Sequence, residues 1–232
     1  MSNTSFRFKQ FCIRHDRCAM KVGTDGVLLG AWGNVDGKSI LDIGTGTGLI
    51  ALMAAQRNPE AEVLGIDIDE AAVQQAKENI AGSPYYERVR CFWADVMILR
   101  PTEQFDAILC NPPFFTEDTL PEDKGRALAR NNKSMPFAQL IPKVATLLSD
   151  TGTFSVIIPS QCATEFVALC LAEGLHLQRR CLVHTTARKP PRRTMLTFTK
   201  SHSTCLEQEL CLNADDGSRS QAYSELTQDF YL

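Results

Sequence analysis

The sequence lacks a long apolar run and an export signal. None of its apolar stretches approaches the roughly 18–20 consecutive residues that a membrane-spanning helix needs. The first residues, Met1 to Arg7, place no apolar segment behind a basic one, as a secretory signal would. We therefore expect a cytosolic protein with no membrane contact.

The nine cysteines form no metal-binding or redox motif. There is no Cys-x-x-Cys pair, and the four histidines lie at no ligand-like spacing from the cysteines. Several cysteines, including Cys110 and Cys170, fall in apolar runs, where a free thiol behaves as a small hydrophobic side chain. An odd number of thiols also fits a reducing compartment. We expect buried free cysteines and no metal.

A large net charge is also missing, since the whole chain carries only −3. The cations are nevertheless segregated: residues 1–21 carry a local charge of +4 and residues 179–193 carry +6, so the remainder must total −13. An acidic protein with one basic face for nucleic acid shows such a distribution. Two solvated charge runs on unrelated surfaces explain the numbers equally well.

What the sequence does contain is a regular alternation of β-branched runs and helical patterns. The predicted strands are 38–43, 62–67, 89–93, 105–109, 153–158, 175–184 and 194–199. The predicted helices are 49–57, 70–81, 136–148 and 161–172. This spacing predicts right-handed βαβ units on a parallel sheet. The last two strands leave no room for a helix between them, so they should pair antiparallel.

The expected fold is therefore α/β, with a Rossmann-like seven-stranded sheet whose last strand is antiparallel. The long polar stretch 116–135 is expected to be a functional or mobile loop, because compact domains rarely contain such loops otherwise. The acidic, mixed tail from Cys205 predicts no domain of its own.

Three alternating glycines lead from the first of these strands into a helix. They are Gly44, Gly46 and Gly48. Glycines in such a turn let the backbone approach a ligand closely. Dinucleotide binders use Gly-x-Gly-x-x-Gly instead, and a carboxylate at Asp42 would repel a pyrophosphate but can bind an ammonium group. The pattern resembles the S-adenosylmethionine loop of class I methyltransferases.

Two further aspartates end the next two predicted strands. Asp67 occupies the position that holds ribose hydroxyls in Rossmann-like sheets, because a carboxylate can accept two hydrogen bonds from a diol. The methyltransferase resemblance implies that Asp95 contacts the cofactor's adenine amino group, with Val96 in the same site. Each aspartate alone could be a surface strand end, but three at neighbouring strand ends favour a cofactor site.

The tetrapeptide Asn111-Pro112-Pro113-Phe114 follows the fourth strand. It could simply be a proline-rich loop that ends a strand, yet it resembles the Asn/Asp-Pro-Pro-Tyr/Phe motif of amino-group methyltransferases. An exocyclic amino nitrogen is a poor nucleophile because its lone pair is delocalised. Acceptors on Asn111 and Pro112 can bind its N–H groups and offset the developing positive charge. Prolines hold these acceptors in place, and Phe114 can stack on the planar substrate.

The chain as a whole is similar to the bacterial tRNA1(Val) adenine-37 N6-methyltransferases. The similarity is carried by residues 11–32, by the basic turn at 188–193 and by the ending 230–232. It implies transfer of a methyl group from S-adenosylmethionine to the adenine beside the anticodon of a valine tRNA. It also places Lys21, Thr24 and Asp25 over the methionine end of the cofactor, although Thr24 is equally a candidate helix N-cap.

The tRNA itself is expected to bind to the basic turn, because cations neutralise phosphates. The residues assigned to this contact are Arg188, Lys189, Arg192 and Arg193. We expect residues 1–36 to form an extension packed over the cofactor cleft and residues 37–232 to form the methyltransferase domain, acting as a monomer.

Three alternatives remain open. Protein glutamine N5-methyltransferases use the same Asn-Pro-Pro chemistry but usually carry a separate helical domain, and only about 35 residues precede the glycine-loop strand here. A DNA adenine N6-methyltransferase would be expected to have a target-recognition domain, which the sequence does not show. The third alternative is a non-catalytic RNA-binding protein on a methyltransferase fold, which the intact Asn111 and Asp67 disfavour.

Overall fold

The computed structural model describes residues 4–17, 22–113 and 136–232. Lys21, Phe114 and the predicted loop 116–135 therefore lie outside the described residues. The strands are β1 (Ser5–Arg7), β2 (Cys12–Arg14), β3 (Ser39–Ile43), β4 (Glu62–Asp67), β5 (Val89–Trp93), β6 (Phe105–Cys110), β7 (Leu148–Pro159), β8 (His176–His184), β9 (Arg193–Thr199) and β10 (Leu206–Cys211). The helices are α1 (Thr24–Trp32), α2 (Leu49–Arg57), α3 (Glu70–Ala81), α4 (Phe137–Leu147), α5 (Ala163–Ala172) and α6 (Gln221–Thr227).

The main sheet has the order β10-β8-β9-β7-β6-β3-β4-β5. Strands β3 to β7 are mutually parallel where they pair, and β9 is antiparallel to both of its neighbours, β7 and β8. This confirms the predicted Rossmann-like α/β fold and its antiparallel strand. The chain order reverses at β3, which lies between β4 and β6, and the carboxyl ends of the strands at such a point form the usual ligand crevice.

The predicted strand number was wrong, because the described residues form a sheet of eight strands rather than seven. The additional strand, β10, lies beyond β8 and runs parallel to it. Of its six residues only Leu210 is buried, so β10 shows no apolar alternation. Its ladder of backbone hydrogen bonds holds it in place, and the half-exposed ion pair from Arg180 to Glu207 at 2.7 Å adds little.

Two apolar layers enclose the sheet. On one face the strands pack against α1, α2 and α3, and on the other against α4 and α5. Along β6 the side chains alternate between the layers, with Ala107 and Leu109 in the first and Ile108 and Cys110 in the second. Both faces of the central strands are thus covered, as in other doubly wound sheets.

The cysteines that lie in apolar runs are free and buried, as predicted for Cys110 and Cys170. Burial raises the pKa of the Cys91 thiol to about 12. Thiols with such raised pKa values are poor nucleophiles. Within the described residues no helix has the length and apolar character that crossing a bilayer requires.

Candidate active site

The glycine loop lies between β3 and α2. Gly44, Gly46 and Gly48 have φ angles of 71°, 55° and 82°, in the left-handed region that favours glycine. The amides of Gly44 and Thr45 both donate to the carbonyl of Ile66, at 2.9 and 3.0 Å. A Cβ added at Gly44 would meet no atom within 4 Å. The loop is therefore pinned to the end of β4 and has open space beside Gly44.

Asp42 lies directly beneath this loop and is fully buried. One of its oxygens, Oδ2, accepts from the Thr45 hydroxyl at 2.6 Å and from the Ala51 amide at 3.2 Å. The other oxygen, Oδ1, is buried without a hydrogen-bond partner. Burial raises the pKa of this carboxyl to about 7, against the opposing effect of the two hydrogen bonds. An unpaired buried oxygen of this kind fits a ligand with an ammonium group, because a nearby cation would offset the desolvation cost.

Asp67 ends β4, with each of its oxygens bound to a backbone amide. Oδ2 accepts from Gly46 and Oδ1 from Asp69, both at 2.9 Å. A carboxylate has about four lone-pair sites, so each oxygen can still accept one further hydrogen bond. The half-buried side chain is thereby oriented at the sheet edge and remains able to bind a diol.

Asp95 follows β5, next to Asp67 across the sheet. Its Oδ1 accepts from the amide of Met97 at 2.9 Å and so caps a short 3-10 turn, Val96–Ile98. Val96 itself is buried. Ile68 is an exposed apolar residue directly after Asp67, at 46% exposure. An exposed isoleucine between two such aspartates fits the flat apolar face of a purine.

Asn111 leaves the sheet beside the glycine loop. It follows Cys110, which pairs with Ile43, and Ile43 directly precedes Gly44. Adjacent strands lie roughly 4.8 Å apart, so Asn111 and the glycine loop are immediate neighbours. Among the described residues the Asn111 side chain makes no hydrogen bond. Pro112 is buried and Pro113 exposed. The side-chain amide of Asn111 is thus available to bind a group of the substrate.

The basic turn connects β8 to β9 at the same edge of the sheet. Arg193 pairs with Pro159 at the carboxyl end of β7, three residues beyond the level of Cys110, and β9 lies two strand spacings, roughly 10 Å, to the side of β6. Arg188, Lys189 and Arg192 are exposed. An exposed ion pair from Arg188 to Asp215 at 3.5 Å contributes little, so it leaves Arg188 available to a phosphate.

Arg193 differs from the other cations of the turn. Its Nε donates to Oδ2 of Asp25 at 2.8 Å, and both side chains are about one-third exposed. Asp25 is the second residue of α1, which begins at Thr24 with Gly23 in the N-cap position. The alternative that Thr24 caps this helix is therefore wrong. Arg193 joins the basic turn to the segment that the family resemblance places over the cofactor.

The sequence did not reveal the residues that attach the N-terminal extension. Asn79 of α3 donates to the carbonyls of Arg14 and Thr47, both at 2.9 Å, and accepts from the Arg14 amide at 2.8 Å. Gln75, one turn earlier, accepts from the Arg17 amide at 3.0 Å. The one available signal was the presence of two polar residues on the buried face of α3. Through Asn79 the extension is attached to the glycine loop itself.

The chain is similar over its whole length to known methyltransferases. The model of the methyltransferase small domain family matches residues 21–167. A tRNA1(Val) (adenine(37)-N6)-methyltransferase from Bacteroides thetaiotaomicron is 44% identical, over 100% of this chain and 99% of that protein. One from Escherichia coli O157:H7 is 39% identical over 100% of this chain and 96% of that protein.

Among solved structures, one described as a predicted O-methyltransferase from Agrobacterium tumefaciens shares the fold. Its TM-score is 0.68 at 20% identity, and the match covers 89% of this chain and 96% of that one. This likeness shows a class I methyltransferase fold. It does not indicate which substrate the chain methylates.

Proposed function

The chain belongs to the family of tRNA1(Val) (adenine(37)-N6)-methyltransferases, and from that premise we propose that it methylates N6 of adenine 37 in a valine tRNA. The observation that carries the proposal is the position of Asn111 and Pro112, one strand from the glycine loop at the carboxyl edge of the sheet. An amino group bound to these acceptors lies beside the place where a methyl donor fits.

S-adenosylmethionine is the methyl donor and supplies an electrophilic methyl group on a sulfonium. The residues beneath and beside the glycine loop fit it. Asp42 carries an unpaired buried oxygen for the ammonium, and Asp67 retains lone pairs for the ribose diol. Asp95 and Val96 complete the adenine end, and Lys21 is assigned to the methionine end.

Methyl transfer then depends on how the target nitrogen is held. The side-chain oxygen of Asn111 and the carbonyl of Pro112 accept the two N6–H groups, which localises the nitrogen lone pair and offsets the charge that develops. Bound S-adenosylmethionine would supply the methyl group to this lone pair, with the C–S electrons left on sulfur. One N6 proton is then lost to water. Pro113 restrains the backbone, and Phe114 is assigned to stacking on the adenine.

The basic turn is proposed to hold the tRNA. An adenine beside the anticodon lies in a single-stranded loop, so extruding it costs less than extrusion from a duplex. Arg188, Lys189 and Arg192 are exposed and two strands from β6, within reach of phosphates that flank the extruded base. We further propose that the enzyme acts in the cytosol as a metal-free monomer, with residues 1–36 packed over the cofactor.

Transfer of labelled methyl groups tests this function directly. The purified chain is incubated with labelled S-adenosylmethionine in three separate reactions, which contain bulk tRNA, duplex DNA or a protein extract. Digested products are then resolved as nucleosides or amino acids. We expect N6-methyladenosine from tRNA and none from a valine tRNA transcript carrying guanine at position 37. Label in glutamine or in DNA would instead support one of the rival substrates.

A further inference from the structure

The exposed apolar side chains of the molecule are concentrated at one edge of the sheet. Eight large apolar residues are exposed among those that the structure describes, and five of them lie on β5 or on the segments beside it. These five are Ile68, which fits the purine of the cofactor, and Tyr86, Phe92, Trp93 and Ile98. Soluble monomers rarely expose apolar side chains in such clusters without a binding role.

β5 is the terminal strand of the sheet and pairs only with β4. A shallow pocket of about 380 Å³ lies between this strand and α3, and its rim carries Lys77, Tyr86, Arg90 and Phe92. Tyr86 and Phe92 are 59% and 52% exposed. Among the described residues, no carboxylate lines the pocket. Of the nearby acids, Glu78 is paired with Arg17, and Glu87 accepts from the Tyr86 hydroxyl.

Two aromatic rings and two cations around one pocket suit a nucleic acid better than a protein. Aromatic rings stack on unpaired bases, and cations bind the phosphates between them. An open strand edge could also pair with a strand of another chain, but a peptide partner would not require both cations beside the rings. The charge and the aromatic content together favour single-stranded RNA.

The topology places this edge and the basic turn on opposite flanks of the site. β9 and β5 are separated by five strand spacings, roughly 24 Å, and β6 with Asn111 lies between them. Through the registers of β5, β4, β3 and β6, Phe92 is level with Cys110, the residue before Asn111. RNA held at Phe92 and at the basic turn would therefore pass over Asn111.

We propose that the β5 edge, defined by Lys77, Tyr86, Arg90 and Phe92, is a second RNA-binding surface. It takes unpaired nucleotides of the tRNA that flank the methylated adenine. The inference rests on the proposed function, because it assumes that tRNA is the substrate.

Two double variants separate stacking from charge at this surface. Tyr86→Ala/Phe92→Ala is expected to weaken tRNA binding about tenfold without changing its salt dependence. Lys77→Ala/Arg90→Ala is expected to weaken it and to lower the slope of log affinity against log salt by roughly two. Binding of S-adenosylhomocysteine and the rate at saturating tRNA should stay at wild-type values. Leu171→Ala/Leu206→Ala and Lys38→Ala are the controls, since they remove exposed side chains elsewhere.

Three measurements are needed. Anisotropy with a labelled tRNA transcript gives the tRNA affinity, calorimetry gives the affinity for S-adenosylhomocysteine, and sedimentation velocity gives the oligomeric state. If the wild type methylates adenine 37 but both variants bind tRNA with wild-type affinity and slope, this inference alone is overturned. If the aromatic variant converts a wild-type dimer to a monomer without affecting tRNA binding, the surface serves self-association and the inference is likewise wrong. A wild-type chain that neither binds nor methylates tRNA would overturn the proposed function as well.

Discussion

The two halves of the carboxyl edge of the sheet are built differently. In the half proposed to bind the cofactor (the cofactor half), at the ends of β3, β4 and β5, the chain already orients the aspartates. Asp67 holds two backbone amides and Asp95 caps a turn, while Asp42 keeps one oxygen unpaired. In the half proposed to bind RNA (the RNA half), at the ends of β6 to β9, Asn111 makes no hydrogen bond among the described residues and three cations of the basic turn are exposed.

The difference follows from the size of the two ligands. A small ligand must be held by a few groups with fixed positions, so its site is organised before it binds. A folded RNA contributes many phosphate contacts, so the protein can leave its cations solvated until the RNA arrives. Arg193 is the exception, because its ion pair with Asp25 connects the RNA half to α1.

The largest effect is expected where the two halves meet, at Asn111. Asn111→Ala should slow methyl transfer by about a hundredfold or more, the scale seen when one preorganised polar partner is lost, while cofactor affinity stays nearly unchanged. Single-turnover rates and calorimetry measure the two quantities. A wild-type single-turnover rate would refute the acceptor mechanism.

Within the cofactor half, Asp67→Ala should have the next largest effect. Loss of a partner for the ribose diol is expected to weaken S-adenosylmethionine binding by roughly 1–3 kcal/mol. The tRNA affinity should stay at its wild-type value, because Asp67 lies on the other side of β3 from β6. Asp67→Asn keeps one side-chain oxygen, which can still accept from the amide of Gly46 or Asp69. Comparing it with Asp67→Ala separates the role of Asp67 in ligand binding from its role in holding the glycine loop. Calorimetry of both variants decides, and unchanged affinity in Asp67→Ala would remove this residue from the site.

Asp42 predicts a pH dependence that is confined to the cofactor half. Its pKa is raised from 3.8 to about 7 by burial, so the folded chain keeps a proton that the unfolded chain releases. The contribution of Asp42 to the free energy of unfolding is therefore full below pH 3.8 and is lost as the pH rises to about 7. Relative to wild type, Asp42→Asn should gain stability as the pH rises through this window, as urea denaturation would measure.

The same carboxyl should couple cofactor binding to pH. Only its ionised form attracts the ammonium, so the affinity of the wild type for S-adenosylhomocysteine should rise about tenfold from pH 6 to pH 8. Asp42→Asn should abolish this rise and serves as the matched control. A pH-independent affinity in the wild type would show that the ammonium does not contact Asp42.

The smallest effects are expected from two neighbouring arginines with the same chemistry and different surroundings. Arg192→Ala should weaken tRNA binding severalfold and lower the salt slope by roughly one, with no change in cofactor affinity. Arg193→Ala breaks the ion pair with Asp25, so it should also weaken cofactor binding, and Asp25→Asn should reproduce that second effect. If Arg193→Ala, like Arg192→Ala, weakens tRNA binding and leaves cofactor affinity unchanged, the ion pair with Asp25 does not couple the two halves.

The fold and the cofactor half follow largely from local sequence signals. Helices α2 and α3 occupy the predicted residues 49–57 and 70–81, because Asn58-Pro59 and Gly82 stop them locally. The glycine spacing and the three aspartates at strand ends are likewise readable within a few residues. Such features depend on neighbours in the chain, so the sequence alone was sufficient to determine them.

Only the tertiary structure decided which distant residues meet. β10 was missed because backbone pairing rather than an apolar pattern holds it, and its partner strand begins 30 residues earlier. The Asp25–Arg193 pair joins residues 168 positions apart, and Asn79 joins the N-terminal segment to a glycine loop 32 residues before it. The raised pKa of Asp42 likewise arises from complete burial under that loop. Contacts of this kind depend on how the strands are ordered in the sheet, which no local pattern specifies.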